Sequence, residues 1–193
     1  MFDSPYKFQK VSANETLAAN PTKKIYFRFK AKYRTYFVTL EVYNFDIVAI
    51  KYCDVKDKDS KNAYKKIFND HDGFRVITTC LFIMLDYWRK NPTISFAFYA
   101  VPRDFNKEKF NKKHLKEIND ELFIEKYKKI RFNIYKYAMI NLFPPKNFVQ
   151  LRDTKNSLYI LLNKKQKKPK TTIDILGKYL LANYDMIFEL DEE

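Results

Sequence analysis

Asp72-Gly-Phe-Arg-Val-Ile-Thr-Thr-Cys-Leu-Phe-Ile-Met-Leu-Asp-Tyr-Trp-Arg-Lys-Asn-Pro-Thr-Ile-Ser-Phe-Ala-Phe-Tyr-Ala-Val-Pro-Arg103 is the stretch on which the fold turns. Phe74, Ile77, Leu81, Leu85 and Trp88 recur at helical spacing, and Val76, Cys80, Ile83 and Met84 widen the apolar stripe until little of the circumference is polar. This pattern predicts a buried helix at 73–90, sandwiched between a sheet and another layer. Asp70 or Asp72 is placed to cap its amides, and Asp86 precedes Arg89 and Lys90 at ion-pair spacing. Pro92 ends the helix, because proline disfavours helical dihedrals in the residue before it. The nearly all-apolar run 94–101 then reads as a central strand.

Upstream, Ile25, Phe27 and Phe29 alternate with Lys24, Tyr26, Arg28 and Lys30, the period-two mark of a half-buried strand. Residues 36–43 and 45–52 continue with β-branched and aromatic residues, so three antiparallel strands in a meander are expected. Residues 1–22, broken by Ser4-Pro5 and Asn20-Pro21, read as an N-terminal arm. Downstream, 107–126 and 127–143 carry two helical patterns, the second stopped by Pro144-Pro145. Residues 148–152 and 158–162 flank a polar turn and read as a hairpin, 164–170 as a basic linker, and 171–184 as a last helix capped by Thr171 or Thr172.

The expected class is α+β: a mostly antiparallel sheet of five to six strands in the order βββααβααββα, the first helix being a short turn over 63–69. Residues 23–163 would form one domain, on which the C-terminal helix and acidic tail of 171–193 pack.

Composition narrows the function classes. With 46% hydrophobic and 18% aromatic residues the chain is built to bury a core, and two glycines in 193 residues leave no glycine-rich phosphate loop. The net charge of +14 and a pI near 9.5 suit an anionic partner, since cations that neutralise phosphates release condensed counterions. Thirty of the 37 basic residues are Lys, a bias that an AT-rich genome also produces. The uneven spread is harder to assign to codons. Residues 105–170 carry 18 basic against six acidic side chains, and residues 171–193 carry one against six. Cys53 and Cys80 lack zinc-ligand spacing and read as free buried thiols of a reducing compartment. Residues 1–20 lack the apolar core of a secretory signal, no window approaches a membrane span, and the expected location is cytoplasmic.

Asp72, Val76, Thr79, Asp86, Pro92 and Phe96, followed by Arg131 and Tyr135, form an arrangement that resembles an uncharacterised family of small Bacteroidetes proteins. In that family two or three strands precede an Asp-led helix with Val-x-x-Thr, then a proline, an apolar strand and an Arg-x-x-x-Tyr helix start. The resemblance spans about residues 25–142 and departs from the family by a basic insertion over 104–129. It implies a fold and a bacterial or phage origin, and no mechanism.

The chain offers no catalytic constellation, cofactor motif or metal-ligand set. His71 and His114 are isolated, no Ser or Cys lies in a nucleophile motif, and the carboxylates Asp54/Asp57/Asp59 and Asp70/Asp72 read as a solvated turn and a helix cap rather than a two-metal nuclease site.

The leading expectation is a non-catalytic nucleic-acid-binding protein, single strands favoured. Lys24, Tyr26, Arg28, Lys30, Lys32 and Arg34 would interleave cations with an aromatic ring on one hairpin face, as single-strand binders do. The alternative there is a solvated face guarded by lysines against edge pairing. Lys112, Lys113, Lys128 and Lys129 would add a second basic surface. Arg75, Arg103, Arg131 and Tyr135 would form an anion or partner pocket, unless Arg131 pairs with Asp72 or Asp104. The competing function is a protein-binding inhibitor, immunity or anti-defence factor, or a structural subunit, from a phage or mobile element, with an acidic protein partner.

Overall fold

A computed structural model describes residues 4–17, 20–60, 63, 72–99, 137, 139–153, 158–167, 169–184 and 191–192. Its strands are β1 (Phe8–Glu15), β2 (Lys23–Lys30), β3 (Thr35–Val42), β4 (Ile47–Asp54), β5 (Ser95–Tyr99), β6 (Phe148–Asp153), β7 (Leu158–Asn163) and β8 (Asp191–Glu192). They join one sheet in the order β1-β2-β3-β4-β5-β7-β6-β8. Helix α1 spans Gly73–Lys90 and α2 spans Pro169–Tyr184. Among the described residues only β4 and β5 pair in parallel, and every other neighbouring pair is antiparallel. Parallel neighbours need a crossover, and the segment between β4 and β5 supplies it through α1.

The α+β class, the mostly antiparallel sheet and the helix at 73–90 follow the expectation. The count of five to six strands and the order βββααβααββα do not. The expected meander is β2-β3-β4, and β1 from the supposed N-terminal arm adds a fourth strand to its edge. Seven of the eight β1 residues are exposed, so an edge strand with almost nothing to bury shows no apolar alternation. At the other edge β8, from the acidic tail, pairs Asp191 with Arg152 and Glu192 with Leu151. The helices expected over 107–126 and 127–143 lie outside the described residues apart from the end of the second, where 139–142 are helical.

Alternation assigns each sheet face its own core. On the inner face, Ile25, Phe27 and Phe29 of β2, Tyr36, Val38 and Leu40 of β3, and Val48 of β4 pack with Val76, Ile77, Cys80, Leu81, Ile83 and Met84 of α1. Aromatic rings extend this core at both ends. Tyr6 stacks on Phe29 at 5.9 Å and Phe29 on Tyr36 at 5.3 Å, while Trp88, Phe96, Phe143 and Phe148 form a second group with Trp88–Phe148 at 5.1 Å and Phe143–Phe148 at 5.5 Å. On the outer face α2 places Leu176 and Leu180 against Ile47, Ala97, Leu158, Ile160 and Leu162. α1 and α2 therefore cover opposite faces.

A buried polar junction fixes where α2 begins. Ser95 Oγ donates to Gln166 Oε1 at 3.0 Å, and Gln166 Nε2 donates to Thr172 Oγ1 at 2.9 Å and to the Phe45 carbonyl at 3.3 Å. Asn163 donates through its backbone N–H to Ser95 Oγ and through Nδ2 to the carbonyls of Pro92 and Ile94. Buried polar groups cost free energy unless bonded, so these partners must meet together, and they tie β5, β7, the β3–β4 turn and α2 into one arrangement. The stretch expected as a linker at 164–170 contains the buried Gln166 of this junction, and α2 starts at Pro169, before the expected Thr caps. Thr172 sits instead inside the junction, where Oγ1 also donates to the Phe45 carbonyl.

Asn163→Ala leaves the Pro92 and Ile94 carbonyls and the Lys165 N–H without their side-chain partner. The expected loss is about 2–3 kcal/mol of unfolding free energy in urea, in the range for buried groups left unsatisfied. Exposed Lys164→Ala should shift it by less than about 0.5 kcal/mol.

Candidate nucleic-acid interface

The outer sheet face changes character from one side to the other. The row Lys24, Glu41, Ala49, Ala97, Ile160, Leu151 crosses six strands, and only its β4-to-β6 members join the apolar core under α2. On β1 to β3 the same face carries polar and charged side chains. The next row on this face is Ser12, Tyr26, Thr39, Lys51, and beyond it the row Gln9, Arg28, Phe37, Cys53 and then Lys30 opposite Thr35 lead to the β2–β3 turn.

The six hairpin residues named from sequence separate into two groups. Lys24 Nζ lies 3.7 Å from Glu41 Oε1, and that buried carboxylate also takes Lys51 Nζ at 2.6 Å and the Tyr43 hydroxyl at 3.1 Å. Arg34 does not share the face of Lys24, Arg28 and Lys30: the turn sets it opposite Ala31, on the side of Tyr36, where its Nη1 lies 3.2 Å from Asp54 Oδ2, while Asp54 Oδ1 accepts the Lys56 N–H at the start of a short 3-10 turn. Tyr26 is half-buried, its ring stacked on Phe37 at 5.3 Å and 26°. These three positions are committed to the sheet.

Arg28 and Lys30 are exposed, and β1 brings exposed Lys7 beside them. The three have no ion pair among the described residues, and with Gln9 and Thr35 they line a shallow groove of about 310 Å³. Three like charges around one open groove repel one another, and an anion placed there relieves that repulsion. At the adjacent turn Tyr33 is 62% exposed, with Lys32 Nζ 5.0 Å from its ring centroid. Lys7, in the segment expected as an arm, and Tyr33 are not among the residues that the sequence pattern singles out. Tyr33 has no sequence signal of its own, since its place at the turn follows only from the Ala31 N–H bonding the Arg34 carbonyl.

Lys112, Lys113, Lys128 and Lys129 of the second basic surface lie outside the described residues, as do Arg103, Arg131 and Tyr135. Arg75, the remaining member of that pocket, is engaged with the N-terminal segment. Its guanidinium lies 4.0 Å over the Tyr6 ring and its Nε donates to the Ser4 carbonyl at 2.8 Å. Tyr6 adds a backbone donation to Thr79 Oγ1 at 2.9 Å and a hydroxyl donation to Asp72 Oδ2 at 3.1 Å. Burial, then the hydrogen bond to Asp72, raises the Tyr6 phenol above its usual value. Asp72 thus serves Tyr6 with its side chain rather than capping α1. Asp86 holds Lys90 at 2.8 Å, as its spacing suggested.

Among the described residues no three His, Cys, Asp or Glu side chains gather as a metal site, and no helix is long and apolar enough to cross a membrane. Against this geometry, no family model, curated protein or solved structure matches the chain.

Burial pushes the Cys53 thiol up to about 11, with nearby Asp57 adding to the shift, and burial raises Cys80 likewise. A thiol that holds its proton longer in the folded state contributes stability present below its ordinary value of 9.0 and lost as pH rises to about 11. Urea midpoints from pH 8 to 11 should therefore fall more steeply for the native chain than for Cys53→Ala.

Proposed function

We propose that the protein is a non-catalytic nucleic-acid-binding protein that uses the β1–β2–β3 end of its outer sheet face, in the bacterial or phage setting that the family resemblance implies. The observation that carries this reading is the open group of cations, Lys7, Arg28 and Lys30, which have no ion pair among the described residues and surround one groove. Their neighbours Lys24 and Arg34 are already held in ion pairs, Lys24 with Glu41, which it shares with Lys51, and Arg34 with Asp54. A sheet face of this kind tracks a phosphate backbone electrostatically, so affinity should fall steeply with salt. The basic middle of the chain, with Lys112, Lys113, Lys128 and Lys129, extends the surface in this reading.

One observation favours a protein partner instead. β1 is an edge strand with Val11 53% exposed beside a bulge, and an extended peptide adds to such an edge through backbone hydrogen bonds. Recovery of one stable protein partner from the native host after nuclease treatment would favour that second reading.

Polarisation titration with a labelled oligonucleotide separates the two groups of cations. Arg28→Ala with Lys30→Ala should reduce the slope of log affinity against log salt by roughly one to two, at about 0.7–0.9 for each phosphate no longer neutralised. Lys24→Ala should move the slope far less. No binding at low salt overturns the proposal.

A further inference from the structure

We infer that this face selects single strands, by stacking one unpaired base on Tyr33 while the backbone lies in the Lys7–Arg28–Lys30 groove; the inference rests on the nucleic-acid reading. Three observations converge on the turn. Tyr26 has already stacked on Phe37 within the sheet. Tyr33 is 62% exposed and stands just past the Lys30–Thr35 pair that ends the β2–β3 ladder. Lys32 Nζ lies 5.0 Å over one face of the Tyr33 ring, so a base takes the other face, across the ring from this positive charge.

The chemistry discriminates between strand types. In a duplex the base faces are stacked on their neighbours, so an aromatic ring gains little and only the phosphates interact. In a single strand the base turns out and its π-face meets the tyrosine, whichever base it is. The groove's cations bind both forms; the ring adds affinity to one. The expected ligand is therefore a short single-stranded DNA or RNA, with little sequence preference.

Three probes test this by fluorescence anisotropy at fixed salt: a mixed-sequence single strand, its duplex, and an abasic strand of the same length. Tyr33→Ala should weaken the single strand by roughly tenfold, within the range that one base–aromatic stack contributes. Tyr33→Phe should retain native affinity, and neither variant should change duplex or abasic binding or the salt slope. Tyr33 is exposed on a turn, so both variants keep the fold, which circular dichroism verifies. Equal affinity of Tyr33→Ala and native protein for the single strand overturns the stacking role while leaving the nucleic-acid reading intact. Loss of duplex and abasic binding along with single-strand binding in Tyr33→Ala also overturns it. Failure of the native protein to bind any probe at low salt overturns the reading on which the inference rests.

Discussion

The burial of α1 against the inner face of the sheet is the constraint from which the other features follow. Nine of its eighteen residues are buried, from Val76 to Leu85, so the helix must be covered on most of its circumference. β2, β3, β4 and β5 present the matching aromatic and β-branched side chains. Tyr6 closes one end, and Phe143 and Phe148 close the other. Because α1 links β4 to β5 as a crossover, it brings those two strands into a parallel pair. Everything on the outer face is then positioned by default.

That outer face is divided by electrostatics as much as by packing. α2 covers the apolar half and is located by the Ser95–Gln166–Asn163–Thr172 junction, whose buried polar atoms bond to one another and to nearby carbonyls. Toward β1 the apolar residues give way to a buried carboxylate. Glu41 is 6% exposed yet collects Lys24, Lys51 and Tyr43, so its charge is compensated within the sheet. On the opposite, inner face Asp54, which the register sets beside Tyr36, pairs with Arg34. The cations beyond the reach of these two acids are the ones free to meet an outside anion.

The periodic elements could be read from the chain because burial writes itself into spacing: α1 by its wide stripe, β2 by strict alternation, the β6–β7 hairpin by its flanked polar turn. β1 escaped for the complementary reason. An edge strand held by backbone hydrogen bonds on one side, with seven exposed residues, has no apolar period to detect. The β4–β5 parallel pairing and the insertion of β7 between β5 and β6 depend on contacts distant in sequence, which local pattern does not encode. The site followed the same division. Lys24, Arg28, Lys30 and Arg34 look equivalent along β2 and its turn, and only the neighbouring strands, which carry Glu41 and Asp54, distinguish the ion-paired from the unpaired. Tyr26 and Tyr33 likewise exchange roles once Phe37 is brought across the ladder to cover the first.

The interface, and the reading that depends on it, rests on where a bound strand touches the sheet. Amide chemical-shift mapping of the isotopically labelled protein during titration with a short single-stranded oligonucleotide reads this residue by residue. The largest shifts should fall at Lys7, Gln9, Arg28, Lys30 and the turn 31–34, and diminish toward α1 and α2. Shifts centred on α2 or the β6–β7 hairpin, or none at all at low salt, would contradict the account.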